Sequence, residues 1–93
     1  MWKVIAVMHH HQAEVKRVRF SSGDGRYLAT TSADRNIIIY RMSDLHSVQI
    51  LRGHTDDVFD VRWSPENQFL VSASHDRNWH IWTPTNVNRS DTE

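Results

Sequence analysis

Cysteine is absent from this 93-residue chain. That absence excludes a disulfide framework and a thiolate metal site, and it fits a reducing compartment, either cytoplasm or nucleus. Long hydrophobic runs are missing as well. The longest apolar stretch near the start, Val4 to Met8, is too short to span a bilayer and has neither the h-region nor the cleavage site of a signal peptide. Net charge is lacking too, since 11 Lys and Arg balance 11 Asp and Glu, which removes the simplest argument for direct contact with nucleic acid. What remains, 39% hydrophobic and 24% charged, is the composition of an ordered globular protein.

The neutral average hides a division. Residues 1–43 hold seven Lys/Arg and three Asp/Glu, whereas residues 44–93 hold four and eight, so the first half carries +4 and the second −4. One half is expected to present a basic surface and the other an acidic one.

The chain is also internally repetitive. The stretch from His11 to Tyr40 aligns with His54 to Trp82 once Asp24 is left unpaired, and 11 of 29 aligned pairs are identical, where chance gives about two. The offset is 43 residues before Asp24 and 42 after it, a blade-like period outside the helical repeats. Each copy is a series of short segments rich in β-branched and aromatic residues, bounded by turn residues. Strands are expected near Trp2–Met8, Val15–Ser21, Tyr27–Ser32, Asn36–Arg41, Ser47–Leu51, Val58–Ser64, Phe69–Ser74 and Asn78–Thr83. Turns are expected at Ser22-Gly23-Asp24-Gly25, Ala33-Asp34-Arg35, Ser64-Pro65-Glu66-Asn67 and His75-Asp76-Arg77. Ile37-Ile38-Ile39-Tyr40 is apolar throughout, the pattern of a strand covered on both faces. In the first strand of each copy the apolar residues fall at Val15, Val18, Phe20 and at Val58, Val61, Trp63. A spacing of three and then two predicts a bulge that resets the facing.

Gly53-His54, the segment Val58/Val61/Trp63/Ser64-Pro65, and Ser72-Ala73-Ser74-His75-Asp76 ending in Ile81-Trp82 closely resemble the WD-repeat signature. The second repeat departs from it only at Thr83, where Asp is usual. The first departs at His10 for Gly, Tyr40 for Trp and Arg41 for Asp. The resemblance implies an all-β fold of two four-stranded antiparallel propeller blades, as a partial propeller or as the protomer of an oligomeric ring. The organisation that follows is an N-terminal outer strand within residues 1–10, a repeat over 11–53, a second over 54–84 that lacks its outer strand, and a polar tail over 85–93.

Ser, His and Asp recur in register as His54, Ser72, Asp76 and, with Thr for Ser, as His11, Thr30, Asp34. A nucleophilic triad needs an exposed hydroxyl beside an oxyanion hole. The resemblance implies structural tetrads instead, in which Asp accepts from His, His bridges to the hydroxyl, and the hydroxyl meets the strand-end aromatic. The sets would be His54, Ser72, Asp76, Trp82 and His11, Thr30, Asp34, Tyr40, and exchanging Tyr40 for Trp would be tolerated. Two neighbouring active sites are improbable, so the chain reads as a non-enzyme.

Other features have ordinary explanations. Neighbours on a strand point to opposite faces, so of His9, His10 and His11 at most two could share a metal, and His11 belongs to the tetrad. No metal or other cofactor is expected. Asn88-Arg89-Ser90 has the form of a glycosylation acceptor, but nothing directs secretion. Lys16, Arg17 and Arg19 are basic without stacking aromatics between them, the composition of a solvated surface.

Proteins or peptides are the partners that the resemblance implies. They would dock on the narrow top face, at Glu14, Lys16 and Ala33 in the first repeat and at Asp57, Phe59 and His75 in the second. Phe59 stands opposite Lys16 in the alignment, so its ring is either an interface anchor or a cover for the seam between blades. The run Asp57 to Pro65 also looks like repeats of histone-chaperone propellers. Two blades leave two apolar faces bare, whereas rings close at about four to eight blades. Either a longer propeller or head-to-tail stacking of copies would cover them.

Overall fold

The computed structural model describes residues 1–84 and is all-β. Its strands are β1 (Val15–Phe20), β2 (Tyr27–Ser32), β3 (Ile37–Arg41), β4 (His46–Leu51), β5 (Val58–Trp63), β6 (Leu70–Ser74) and β7 (Trp79–Trp82). They form two antiparallel meanders, a four-stranded sheet ordered β1-β2-β3-β4 and a three-stranded sheet ordered β5-β6-β7. Consecutive strands are joined by short turns, so each sheet assembles from neighbours in sequence. Among the described residues no helix is long and apolar enough to cross a membrane.

The bulges fall where the three-then-two spacing puts them. Pairing of β1 with β2 slips between Val15 and Arg17, and pairing of β5 with β6 slips between Val58 and Asp60, which leaves Lys16 and Phe59 as the extra residues. The slip brings Val58 and Val61 onto one face opposite Ser74 and Ser72. Without it the second valine would turn to the other side.

Registers divide each sheet into a front and a back. In sheet 1, Arg17, Arg19, Ala29, Thr31, Ile37, Ile39 and Leu51 share the front, while Val18, Phe20, Leu28, Thr30, Ile38 and Tyr40 share the back. In sheet 2 the back carries Val61, Trp63, Leu70, Ser72 and Trp82, and the front carries Asp60, Arg62, Val71, Ala73, Trp79 and Ile81. The front of sheet 1 packs on the back of sheet 2, where Ala29, Ile37, Ile39, Val58, Val61 and Leu70 form the core, with Leu51, Trp63 and Trp82 around it. Each fully buried Val or Ile contributes about 1.5–3 kcal/mol.

Apolar burial is non-directional, so polar contacts at the rim set the angle between the sheets. Ser22 N–H donates to Asn67 Oδ1 at 2.8 Å, Asn67 Nδ2 donates back to Ser22 O at 3.1 Å, and Ser22 Oγ donates to Ser64 O at 2.9 Å. Trp63 Nε1 donates to Arg19 O at 3.1 Å. Asp60 Oδ1 lies 3.5 Å from both Arg17 and Arg19. The Ser22 contacts tie the β1–β2 turn of one sheet to the β5–β6 turn of the next, and those of Trp63 and Asp60 tie β5 to β1.

One expected element is not a strand. Residues 2–8 carry no ladder, because no sheet edge lies beside them, and an extended segment without a ladder is not a strand. The other strands form within a residue or so of expectation. The sheet faces are unequally covered: Val58 and Val61 are 0% exposed, while their counterparts Val15 and Val18 are 49% and 53% exposed. The polar tail and Asn88-Arg89-Ser90 lie outside the described residues.

Asn67 sits at φ 59° and its counterpart Gly25 at φ 69°, so this turn needs a left-handed residue in both repeats. Asn67→Gly keeps the backbone and removes the clamp, and Asn67→Ala removes the clamp and adds strain. We expect losses of about 1 and 2 kcal/mol in turn by urea unfolding. Equal losses would mean that the clamp alone matters.

Candidate functional site

Each repeat places a polar network inside its sheet. In sheet 2, His54 lies just before β5, Ser72 is central on β6, Asp76 is in the β6–β7 turn and Trp82 ends β7. His54 Nδ1 is 3.0 Å from Asp76 Oδ2, His54 Nε2 is 2.8 Å from Ser72 Oγ, and Trp82 Nε1 donates to Ser72 Oγ at 2.8 Å. Complementarity assigns the protons. A carboxylate only accepts, so Nδ1 donates to Asp76, and Ser72 receives the indole N–H while giving its own hydrogen to Nε2. Ser72 is buried at 1% exposure and its oxygen also takes the Trp82 indole N–H, so no substrate carbonyl reaches it.

The aspartate also fixes the turn. Asp76 accepts from Thr55 N–H at 3.0 Å and Asn78 N–H at 2.8 Å, and Ser74 Oγ accepts from Asp76 N–H at 3.1 Å. Asp34 repeats this with Gln12 and Asn36 N–H at 2.9 Å each, and Ser32 Oγ accepts from Asp34 N–H at 2.9 Å. Arg35 and Arg77 follow at φ 77° and 74°, conformations that the pinned turns impose. Burial by itself pushes both carboxyls up, but the backbone donors and the histidine beside each outweigh it and hold both below the ordinary 3.8.

In sheet 1, His11 Nδ1 is 2.9 Å from Asp34 Oδ2 and His11 Nε2 is 2.7 Å from Thr30 Oγ1. Tyr40 corrects the expectation of a fourth member. Its hydroxyl is 3.0 Å from His10 Nδ1, and the two rings are tilted at 5.5 Å between centroids. Burial raises the Tyr40 hydroxyl, so the phenol stays protonated, and the His10 tautomer sets which of the two donates. Thr30 Oγ1 instead faces Ile38 O at 3.4 Å. The departures at His10 and Tyr40 are one coupled exchange. A Cβ at Gly53 would sit 3.3 Å from Trp82 Cη2, close enough that the indole would have to shift by a few tenths of an ångström, and φ 155° is a backbone conformation that L side chains rarely adopt, so both contact and backbone favour glycine there. The shorter phenol makes room for His10.

Above these networks, at the end bearing the β2–β3 and β6–β7 turns, the structure brings together all six residues assigned to the top face. Lys16 Nζ is 2.9 Å from Glu14 Oε1 and 3.8 Å from Asp57 Oδ2, which bridges the two repeats. Ala33 N–H donates to Glu14 O at 2.8 Å and His75 N–H to Asp57 O at 3.0 Å. Phe59 is 39% exposed, stands outside the core between the sheets, and stacks on His75 with centroids 4.9 Å apart.

Sequence reasoning missed four residues. His10 could have been found from the joint departure of positions 10 and 40 within one repeat. His80 packs over His54 with centroids 3.9 Å apart, and nothing signals it because its counterpart is Ile38. The serines before each turn Asp, Ser32 and Ser74, recur in register and were legible. Among the described residues no group of three or more His, Cys, Asp or Glu is placed to hold a metal.

The chain matches the family "WD domain, G-beta repeat" twice, over residues 2–41 and 45–83. It is similar to Protein HIRA of Zea mays, 38% identical over 90% of this chain and 10% of that protein, and to Protein HIRA of Dictyostelium discoideum, 33% identical over 83% and 8%. It is also similar to Cell division control protein 4 of Saccharomyces cerevisiae, 30% identical over 89% and 10%. The chain thus spans 8–10% of the length of these relatives.

Two predictions follow from this geometry. Tyr40→Trp alone forces an indole against His10 and is expected to cost about 1–3 kcal/mol, a reversal of the tolerance expected from sequence. With His10→Gly added, most of that loss returns, and a double-mutant cycle measures the coupling. The second concerns acid. Folded pKa values below 3.8 mean that Asp34 and Asp76 stabilise fully above the unfolded value. Their contribution is lost as pH falls through the folded values. Melting temperatures are therefore expected to drop below about pH 4, and Asp76→Asn lowers the neutral plateau while flattening the acid limb.

Proposed function

Because the chain belongs to the WD-repeat family, we propose that it is a protein-interaction segment whose partner docks on the top face through Asp57, Phe59 and His75, with Glu14, Lys16 and Ala33 beside them. The observation that carries this reading is Phe59. Both repeats have an extra residue at the bulge, and the ladder accommodates a lysine in one and a phenylalanine in the other. An exposed ring that is not required for folding, stacked on a histidine and rimmed by carboxylates, is the composition of an interface anchor. The reading is non-catalytic, because the one constellation that imitates a triad spends its groups on holding turns. A narrower form follows from the likeness of residues 57–65 to histone-chaperone propellers: a nuclear protein whose partner belongs to a histone-handling assembly.

Peptides selected against the intact chain from a random library supply the test. Their binding should shift backbone resonances at residues 57–59 and 75, and Phe59→Ala should weaken it about tenfold or more at unchanged melting temperature. Binders that map to the sheet faces and are indifferent to Phe59→Ala would refute top-face docking.

A further inference from the structure

We propose that Arg17, Arg19 and Arg62, gathered around Asp60 where β1 and β5 meet, bind an acidic segment of a partner protein through its Asp or Glu carboxylates. The site is separate from Asp57, Phe59 and His75, and it does not rest on top-face docking.

β1 begins the order of sheet 1 and β5 that of sheet 2, and the junction sets these two strands side by side. Arg17 and Arg19 leave β1 on one face, and Asp60 and Arg62 leave β5 on one face. Asp60 Oδ1 lies 3.5 Å from Arg17 Nε and 3.5 Å from Arg19 Nη2, and Asp60 Oδ2 lies 3.6 Å from Arg62 Nε. One carboxylate therefore answers three guanidiniums, which leaves the group a surplus charge of +2. The neighbouring Lys16 does not add to it, because Glu14 and Asp57 already answer that ammonium. Both repeats are needed to build the group: two arginines come from β1, and the third arginine and the aspartate from β5.

The pairing is incomplete in geometry as well as in charge. Elsewhere one arginine meets one aspartate and the bonds close: Arg41 donates to Asp44 through Nη2 at 2.6 Å and Nε at 3.1 Å, and Arg26 Nε donates to Asp24 at 2.9 Å. The three contacts to Asp60 are all longer than a made N–H···O bond. Asp60 Oδ1 is already engaged by Val61 N–H at 2.8 Å. Among the described residues, Arg19 Nε is buried with no hydrogen-bond partner. A guanidinium presents five N–H donors in a planar fork, and a carboxylate meets such a fork with two parallel bonds. The group thus holds more donors and more charge than Asp60 satisfies, and carboxylates brought by a partner supply the acceptors.

The same surroundings favour a peptide over a nucleic acid. Phe20 and Trp63, the rings that follow Arg19 and Arg62 in sequence, lie on the opposite faces of their sheets, and Trp63 Nε1 is spent on Arg19 O. Phe59, which precedes Asp60, stacks on His75. The arginines therefore offer charge and planar forks without a stacking platform, whereas single-stranded nucleic acid is held by both. A surplus of two charges at one spot also matches a pair of acidic side chains better than a long phosphate backbone, which calls for a basic stripe.

Fluorescence anisotropy of a labelled hexaglutamate peptide, titrated with the intact chain at low ionic strength, supplies the test. We expect binding that weakens as salt is raised, with the Nε–H resonances of Arg17, Arg19 and Arg62 shifting and that of Arg26 unmoved. Arg17→Gln and Arg62→Gln, at side chains 48% and 67% exposed, should keep the fold by circular dichroism. Each should weaken binding about two- to fivefold. Arg26→Gln removes the same charge away from the site and should leave binding unchanged. Asp60→Asn keeps an acceptor for Val61 N–H and removes the internal competitor, so it should tighten binding; arginines that serve only to hold the junction would gain nothing from it. No binding at low salt, an equal loss with Arg26→Gln, weaker binding with Asp60→Asn, or a hexathymidylate held more tightly than hexaglutamate by the same arginines would overturn the proposal. Phe59→Ala should leave hexaglutamate binding unchanged, so top-face docking stands or falls separately.

Discussion

A blade whose strands are apolar on both faces has to be covered on both faces, and this requirement shapes the rest of the molecule. An ordinary antiparallel sheet alternates and leaves one side wet. Here Ile37, Ile38 and Tyr40 are buried in succession, so β3 tolerates water on neither side. The front of sheet 1 is closed by sheet 2. The back is only partly closed, by His10 and His11 lying against Tyr40 and Thr30, and beyond their reach Val15, Val18 and Phe20 remain in solvent. The same incompleteness recurs at Val71, Trp79 and Ile81 on the far side. Exposed apolar surface of this extent favours any arrangement that covers it.

Covering the faces creates a second difficulty. Burying the centre of a sheet also buries the polar groups of its turns, and a buried group without a partner costs more than a made hydrogen bond returns. The His–Asp–hydroxyl networks of both sheets answer this, and in sheet 2 the Trp82 indole extends the set from the approach to β5 as far as β7. One aspartate oxygen takes the imidazole and the N–H after it, and the other takes the N–H at the far end of the turn. Since the histidine is anchored as much by Ser72 as by Asp76, the turn, the central strand and the approach to β5 are fixed together. Catalysis would use the same His–Asp pair but beside an accessible hydroxyl with room for a substrate, and Ser72 is 1% exposed.

Legibility in the sequence followed the strength of local constraint. The strands, the bulges and the stacking of two sheets could be read because valine spacing and turn residues act locally. The segment Trp2–Met8 has strand composition and is not a strand, since a ladder needs an edge that composition cannot supply. Tyr40 was misplaced for a related reason. Its alignment with Trp82 implied a shared role, but the role depends on residue 10, which is far in sequence and adjacent in space. The clamp between Ser22 and Asn67 was equally hidden, because neither residue carries a pattern until the two turns meet.

The two repeats also separate fold from function without reference to any other protein. Val15 and Val58 are the same residue, as are Val18 and Val61, although only the second of each pair is buried here. Their identity reflects the stacking requirement even where this chain leaves it unmet. Between and beside those valines the repeats disagree: Glu14 against Asp57 preserves charge, while Lys16 against Phe59 and Arg17 against Asp60 change chemistry outright. Arg17 and Asp60 differ because each faces the other across the junction, so that difference is explained by packing. No contact within the core explains the difference between Lys16 and Phe59. A bulge that projects its extra residue at the rim is a position the fold holds open, and it is there that two blades of one design can acquire different surfaces.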